Sequence, residues 1–332
     1  MRLLVTGGAG FIGSNFIRHV LSTHPEDSVV NLDKLTYAGN LQNVADVADD
    51  PRYRFVRGDI GDAKLVRDTL RGVDAVVNFA AESHVDRSLL EAGAFLKTDV
   101  FGVFTLLEAV RELGISRFVQ ISTDEVYGSL ATGSAREDDP LRPSNPYSAA
   151  KAGADLLALA YWRTHRLPVV ITRSSNNFGP YQHPEKVIPL FITNALDDQP
   201  LPLYGDGRNV RDWLYVLDNC EAIDLVLRQG AAGEIYNVGA GHELENIALT
   251  REILRLTGKP PTLVKPVTDR PGHDRRYSLD ATKVRQLGWT PRHRFLDGLT
   301  ATVGWYRGHE VWWRALKSGA FAAYYQQQYG SR

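Results

Sequence analysis

Tyr147 and Lys151 stand four residues apart, and on a helix that spacing puts both on one face. A tyrosine hydroxyl titrates at about 10 in water. An ammonium beside it, or a positively charged ring, favours the phenolate and lowers that value. Such a pair can take the proton from an alcohol while hydride leaves the same carbon. Thr123 ends an apolar run and offers a hydroxyl to hold that alcohol beside Tyr147. Two acids, Asp124 and Glu125, follow it directly. A hydride needs an acceptor, and Gly7-Gly8-Ala9-Gly10-Phe11-Ile12-Gly13 supplies the place for one.

That glycine run lies between a short apolar stretch, Leu3–Thr6, and the helically spaced Phe11–Leu21. This is the context of a dinucleotide-binding fingerprint. Glycines there allow a tight turn, close approach to a pyrophosphate and close packing of helix on strand. The helix N-terminus presents unpaired N–H groups to the phosphates. Asp33 ends the next apolar run, where a carboxylate accepts from the adenosine ribose and repels a 2′-phosphate, which selects NAD over NADP. Asp59 and Ile60 follow the third run and could flank the adenine. Phe79, Ala80, Ala81 and Ser83 end the fourth, with small side chains where a nicotinamide ribose could approach. Each feature alone has a bland reading: a structural glycine turn, a chance Tyr-Lys spacing, a solvated acidic loop. Together they point to an oxidoreductase-type active site.

The elements that must carry these groups alternate. Strand-like runs at Leu3–Thr6, Val29–Asp33, Tyr53–Val56, Ala75–Phe79, Arg117–Thr123 and Val169–Ser175 are separated by helical spacing. Continuous apolar strands between helices predict an α/β fold, a doubly wound parallel sheet of the Rossmann type. After residue 175 prolines and glycines cluster, which predicts a second, smaller α/β substrate lobe. The expected division is residues 1–175 against mainly 176–332. It is discontinuous, because about 212–239 (through Glu234–Val238) returns to the first sheet. The helices near 94–113 and 148–165 are apolar on more than one face, which predicts a homodimer. Aromatic residues crowd the tail from Gly308, without a motif.

Of 332 residues, 43% are hydrophobic and 23% charged, with a net charge of -1. That is globular composition without the basic field that would draw nucleic acid or an anionic membrane. The one cysteine, Cys220, excludes an internal disulfide and a cysteine-based zinc site. It falls in an amphipathic helix starting near Asp218 and reads as packing. Nine histidines include no helical pair of metal-binding spacing, so no metal is expected. No apolar window reaches the roughly 20 residues of a membrane span, and the first apolar run is too short for a signal peptide. A soluble, cytoplasmic protein is the expectation.

Gly7–Gly13, Thr123 and Tyr147–Lys151 resemble the extended short-chain dehydrogenase/reductases. Ser122-Thr123-Asp124-Glu125-Val126-Tyr127-Gly128, Ala80–Ser88, Asn176–Lys186, Arg211–Val216 and Asp269–His273 narrow the likeness to the dTDP-glucose 4,6-dehydratase family. It runs from Met1 to about Trp305. The resemblance implies NAD as cofactor, dTDP-glucose as substrate and a 4-keto-6-deoxy sugar as product, feeding deoxysugar formation such as that of rhamnose. A C5 hydrogen becomes acidic only once C4 is a ketone. Oxidation at C4 therefore comes first, then loss of water across C5 and C6, then hydride return to C6. The family assigns Glu125 as base for C5 and Asp124 as acid for the departing hydroxyl, with Thr123, Tyr147 and Lys151 serving the oxidation. Two nearby carboxyls raise the pKa of one, which keeps an acid form at neutral pH. Adjacent strand residues face opposite ways, so the chain must leave strand geometry at Asp124.

The family also places Lys34, Leu35, Thr36, Thr98 and Asn177 against the cofactor. It sets Ser83 and His84 near the sugar. Asn176, Lys186, Val187, Arg211, Asn246 and Asp269-Arg270-Pro271-Gly272-His273 fall at the nucleotide end, with Pro202, Leu203 and Tyr204 over the base. Lys186, Arg211, Arg270 and His273 are the expected cationic and N–H donors for the diphosphate. The alternatives are a nucleotide-sugar 4-epimerase, which needs no C5 base, and a non-catalytic NAD-binding protein.

Overall fold

The computed structural model describes residues 1–329. Its strands are β1 (Arg2–Thr6), β2 (Ser28–Asp33), β3 (Tyr53–Arg57), β4 (Ala75–Asn78), β5 (Arg117–Thr123) and β6 (Val169–Ser174). After these come β7 (Asn176–Phe178), β8 (Leu201–Tyr204), β9 (Val210–Tyr215), β10 (Ile235–Val238), β11 (Glu243–Glu245) and β12 (Val264–Val267). Seven form one sheet in the order β10-β6-β5-β4-β1-β2-β3, parallel throughout. The chain winds outward from β1 to β3, then restarts on the other side of β1 with β4. That reversal opens a crevice at the carboxyl ends of the strands, where such sheets bind ligands.

Alternation along each strand sorts side chains into two layers. Leu4, Val76 and Phe118 join Leu106, Val110 and Ala154 on one face. Leu3, Val5, Val77 and Val119 join Phe16, Ile17 and Ile223 on the other. With both faces covered, the strands are buried along nearly their whole length, except the edge strand β3, which is only partly covered.

One expected element differs. The single helix expected from 94 to 113 is a short turn, Ala92–Phe95, then a π-helical stretch, Leu96–Gly102, and only then an α-helix, Val103–Leu113. Phe95, Asp99, Val103, Leu106 and Val110 all face inward, so the apolar pattern runs on through the widened turn.

Past β6 a separate core gathers Phe191, Trp213, Leu249, Tyr306 and Trp313. It lies around a three-stranded sheet, β11-β9-β7, and a pair, β12-β8. The chain then forms helices Glu310–Leu316 and Ala320–Tyr329. No helix among the described residues is long and apolar enough to cross a membrane.

Candidate active site

The crevice begins at the turn after β1. Gly7 has φ +67°, and a side chain on it would strike the backbone of Ala80 at 2.7 Å. One on Gly13 would meet the Gly7 carbonyl at 2.4 Å. The helix that follows, Phe11–Thr23, has Gly10 as N-cap with no side chain satisfying its first N–H groups. A bare, positively polarised helix end over a turn with no room for side chains fits a dinucleotide phosphate. Asp33 is buried and accepts from the N–H of Ala9 at 2.9 Å and of Leu35 at 2.8 Å. Burial raises its pKa despite both bonds. A carboxylate has about four acceptor positions, so two remain for ribose hydroxyls.

One cavity unites most of the expected cofactor residues. Gly7, Gly10, Phe11, Ile12, Gly13, Asp33, Lys34, Thr36, Asp59, Ile60, Phe79, Ala80, Ala81, Ser83, Thr98, Tyr147 and Lys151 all line it. Lys34 pairs with Asp59 across it at 2.8 Å. Leu35 and Asn177 are not on its wall. Leu35 sits at φ 57°, its N–H turned to Asp33. Asn177 accepts at its carbonyl from the Gln182 amide at 2.9 Å, and it is Gln182 that lines the cavity, with His183 and Glu185.

Tyr147 and Lys151 lie in the helix Pro146–His165, which starts with a reciprocal cap. Asn145 Oδ1 accepts from the Ser148 N–H at 2.9 Å, and Ser148 Oγ accepts from the Asn145 N–H at 3.3 Å. Asp155, two turns on, accepts from Ser122 at 3.0 Å and from the Arg173 guanidinium at 2.9 Å. The helix is thereby bolted to β5 and β6. Lys151 Nζ donates to the Ile121 carbonyl at 2.6 Å, and Tyr147 hydrogen-bonds Thr123.

The protein by itself does not give the lowered Tyr147 pKa that the Tyr-Lys spacing suggests. Burial, then the charges of Glu125 and Asp99, hold the phenol well above its ordinary value, and the Thr123 bond opposes them only in part.

Strand β5 ends at Thr123, and Asp124–Tyr127 form a 3-10 turn. Thr123 Oγ1 accepts from the Glu125 N–H at 3.2 Å, which caps the turn. Asp124 is buried, with one oxygen unpartnered. Burial and then the neighbouring Glu125 push its pKa well above the carboxylate range, with Arg211 opposing. Glu125 is only half-buried. Tyr277 donates to it at 3.4 Å and to Asp274 at 2.6 Å.

The expected substrate residues gather less completely. Ser83 and Lys186 line the cofactor cavity, and the Lys186 ammonium donates to the Ser83 carbonyl. Its charge and that of Arg270 both act with Glu125. Arg270 pairs with Asp86 at 2.7 Å and keeps a buried Nε free. Arg211 lies over the Tyr277 ring, 4.2 Å from its centroid. Asn176 and Asn246 each hold a buried, unpartnered side-chain oxygen. Val187 opens the helix Val187–Leu196, and His84 caps the helix Val85–Leu90. Leu203 is buried in the second core. Pro202 lines a different cavity, beneath Tyr325 and Tyr329 of the last helix. Tyr204 stacks edge-on with His273 at 5.9 Å, and Asp269 bonds His273 at 2.6 Å. Pro271 and Gly272 are exposed beside them. His273 does not serve as a cation: burial, then the charge of Arg270, lower its pKa to about 4. It is a neutral hydrogen-bonding ring.

Tyr277, Asp274 and Tyr37 lie outside every motif read from the sequence, and Asp86 and Arg87 fall inside Ala80–Ser88 without a role of their own. Arg87 lies between the rings of Tyr37 and Tyr324, at 3.9 and 4.3 Å, and bonds Glu185 at 3.0 Å. Glu185 does lie inside the Asn176–Lys186 motif, the one signal that could have pointed to it.

The family model for GDP-mannose 4,6 dehydratase matches residues 4–302. The chain is 56% identical over 323 residues to a dTDP-glucose 4,6-dehydratase from Streptomyces niveus, covering 96% of each. It is 56% identical over 310 residues to a low-salt glycan biosynthesis protein from Haloferax volcanii, covering 93% of this chain and 100% of that one. The solved dTDP-glucose 4,6-dehydratase of Streptomyces venezuelae with NAD bound is 57% identical. It covers 96% of this chain and 100% of its own, with a TM-score of 0.94. Identity above one half over nearly all of the sequence, on a superimposable fold, settles the kinship: this chain belongs to the dTDP-glucose 4,6-dehydratase family.

Proposed function

We propose that this chain is an NAD-dependent hydro-lyase that converts dTDP-glucose to dTDP-4-keto-6-deoxyglucose. The observation that carries this is the acid pair at the end of β5. One carboxyl is buried and its pKa is pushed up, the other is half-buried, and both adjoin the Thr123–Tyr147 pair.

Thr123 holds the C4 hydroxyl and Tyr147 takes its proton, with Lys151 fixed beside it. Bound NAD supplies the acceptor for the C4 hydride and the donor that returns it to C6. Glu125 takes the proton from C5, now acidic beside the ketone. Asp124 gives its proton to the C6 hydroxyl, which leaves as water. A proton then returns to C5. Lys186, Arg211 and Arg270 hold the diphosphate, with Asn176, Asn246 and His273 donating or accepting at the nucleotide end. Residues 1–175, with about 212–239, form the NAD-binding unit, and most of 176–332 binds the nucleotide sugar.

Solvent-facing Phe101, Phe104, Leu113 and Leu156 support a homodimer through the helices near 94–113 and 148–165. The composition supports a cytoplasmic enzyme.

The test is conversion of dTDP-glucose in heavy water, followed by mass. Loss of one water with one deuteron gained at C5 is expected. Isomerisation to a galactose sugar would replace this reading with the epimerase, and no conversion of any nucleotide sugar would leave a non-catalytic NAD binder. In Glu125→Gln, water loss should cease while a single turnover still reduces NAD. Dehydration at the normal rate in that variant would remove Glu125 from its role.

A further inference from the structure

The steps above leave one buried acid beside the reacting groups unused. Asp99 is 1% exposed and lies in the π-helical stretch Leu96–Gly102. That stretch borders the helix of Tyr147 and Lys151. The Phe95 ring meets the Tyr147 ring edge-on at 6.2 Å, Val100 packs against Gly153, and Thr98 lines the cavity shared with Tyr147 and Lys151. One oxygen of Asp99 accepts from the Glu82 N–H at 2.9 Å, tying down the loop after β4. The other is buried and has no partner.

A single acceptor is all that the Glu82 N–H requires. An amide would provide it without the cost of burying a charge. The carboxyl therefore brings something besides the tie. The charged and titratable groups that act on it are the Lys151 ammonium, from the catalytic helix, and Glu82, from the loop. Asp99 in turn acts on Tyr147, as do Glu125 and Asp124.

Building on the dehydratase reading, we propose that Asp99 is a positioning residue for the oxidation step. One oxygen holds the loop after β4 in place, and the carboxyl's charge state sets how tightly Tyr147 keeps its proton. Burial lifts the Asp99 pKa to about 7, with Lys151 opposing, so the charge changes within the working range. Ionised Asp99 repels a phenolate at Tyr147, and neutral Asp99 does not.

Asp99→Asn keeps the acceptor for Glu82 and removes the charge. NAD affinity should stay within about twofold of wild type. The acid limb of the pH profile for single-turnover NAD reduction should move to lower pH by about half a unit or more. Asp99→Leu removes the acceptor too and should weaken NAD binding about tenfold. A second readout needs no substrate: the infrared band of a protonated carboxyl should titrate near pH 7 in wild type and vanish in Asp99→Asn. Superimposable pH profiles, or no such band, overturn the proposal. A wild-type enzyme that fails to reduce NAD with dTDP-glucose overturns the dehydratase reading instead, and the infrared titration still decides the charge state of Asp99.

Discussion

At Asp124 and Glu125, two neighbouring carboxyls meet different surroundings because a 3-10 turn interrupts the strand between them and Thr123. Burial, then Glu125, push the Asp124 pKa up, which suits the proposed role of proton donor. Removing that proton should therefore cost turnover. Asp124→Asn should lose about 10²–10⁴-fold in kcat, while single-turnover NAD reduction persists and the melting temperature holds. Steady-state assay beside rapid-mixing absorbance checks this. The sequence carried much of this chemistry: glycines, Thr123, the acid pair and the Tyr-Lys spacing are local patterns. Tyr277 and Asp274 were out of reach, because they meet Glu125 only through a contact spanning 152 residues. The neutral state of His273 was hidden for a like reason, since it follows from burial and from Arg270.

The helix Pro146–His165 owes its alignment to one buried ion pair. Arg173 and Asp155 are 2% and 0% exposed, respectively, at 2.9 Å. Asp155→Ala would leave a guanidinium buried with only Tyr127 and a backbone carbonyl for partners. Breaking one side of such a pair costs about 3–5 kcal/mol. Denaturant unfolding should show a loss of that size, and kcat should fall as Tyr147 and Lys151 lose their footing. This helix was readable from its apolar spacing, with its start misplaced by the proline and its cap. The π-helical stretch was not. Its inward residues, Phe95, Asp99 and Val103, keep a spacing of four, which periodicity reads as ordinary helix.

In the assembled chain, helix Val103–Leu113 turns Leu106, Leu107 and Val110 to the sheet and leaves Phe104 and Leu113 outside; Phe101, its ring 5.8 Å from that of Phe104, and Leu156 are exposed too. Scattered apolar side chains are normal, but apolar side chains exposed on two packed helices are what the proposed homodimer would cover. Phe101→Asp combined with Leu156→Asp should yield a folded monomer. Sedimentation velocity checks the mass, and circular dichroism the fold. The parallel sheet was legible because each strand is a continuous apolar run. The presence of a second α/β lobe was legible from the prolines and glycines past residue 175, but its strand pairing was not, since β9 draws its partners from β7 and β11, and β8 pairs with β12. No local pattern announces such pairings. The cavity roof, Gln182, His183, Glu185 and Lys186, comes from that lobe, and Arg87, clasped by Tyr37 and Tyr324, bonds to it through Glu185. That contact fixes one wall of the cavity. In the proposed cycle each hydride removed is given back before product leaves, so no net oxidation or reduction of the coenzyme takes place. The cell's ratio of oxidised to reduced nicotinamide then has no hold on the direction of the reaction.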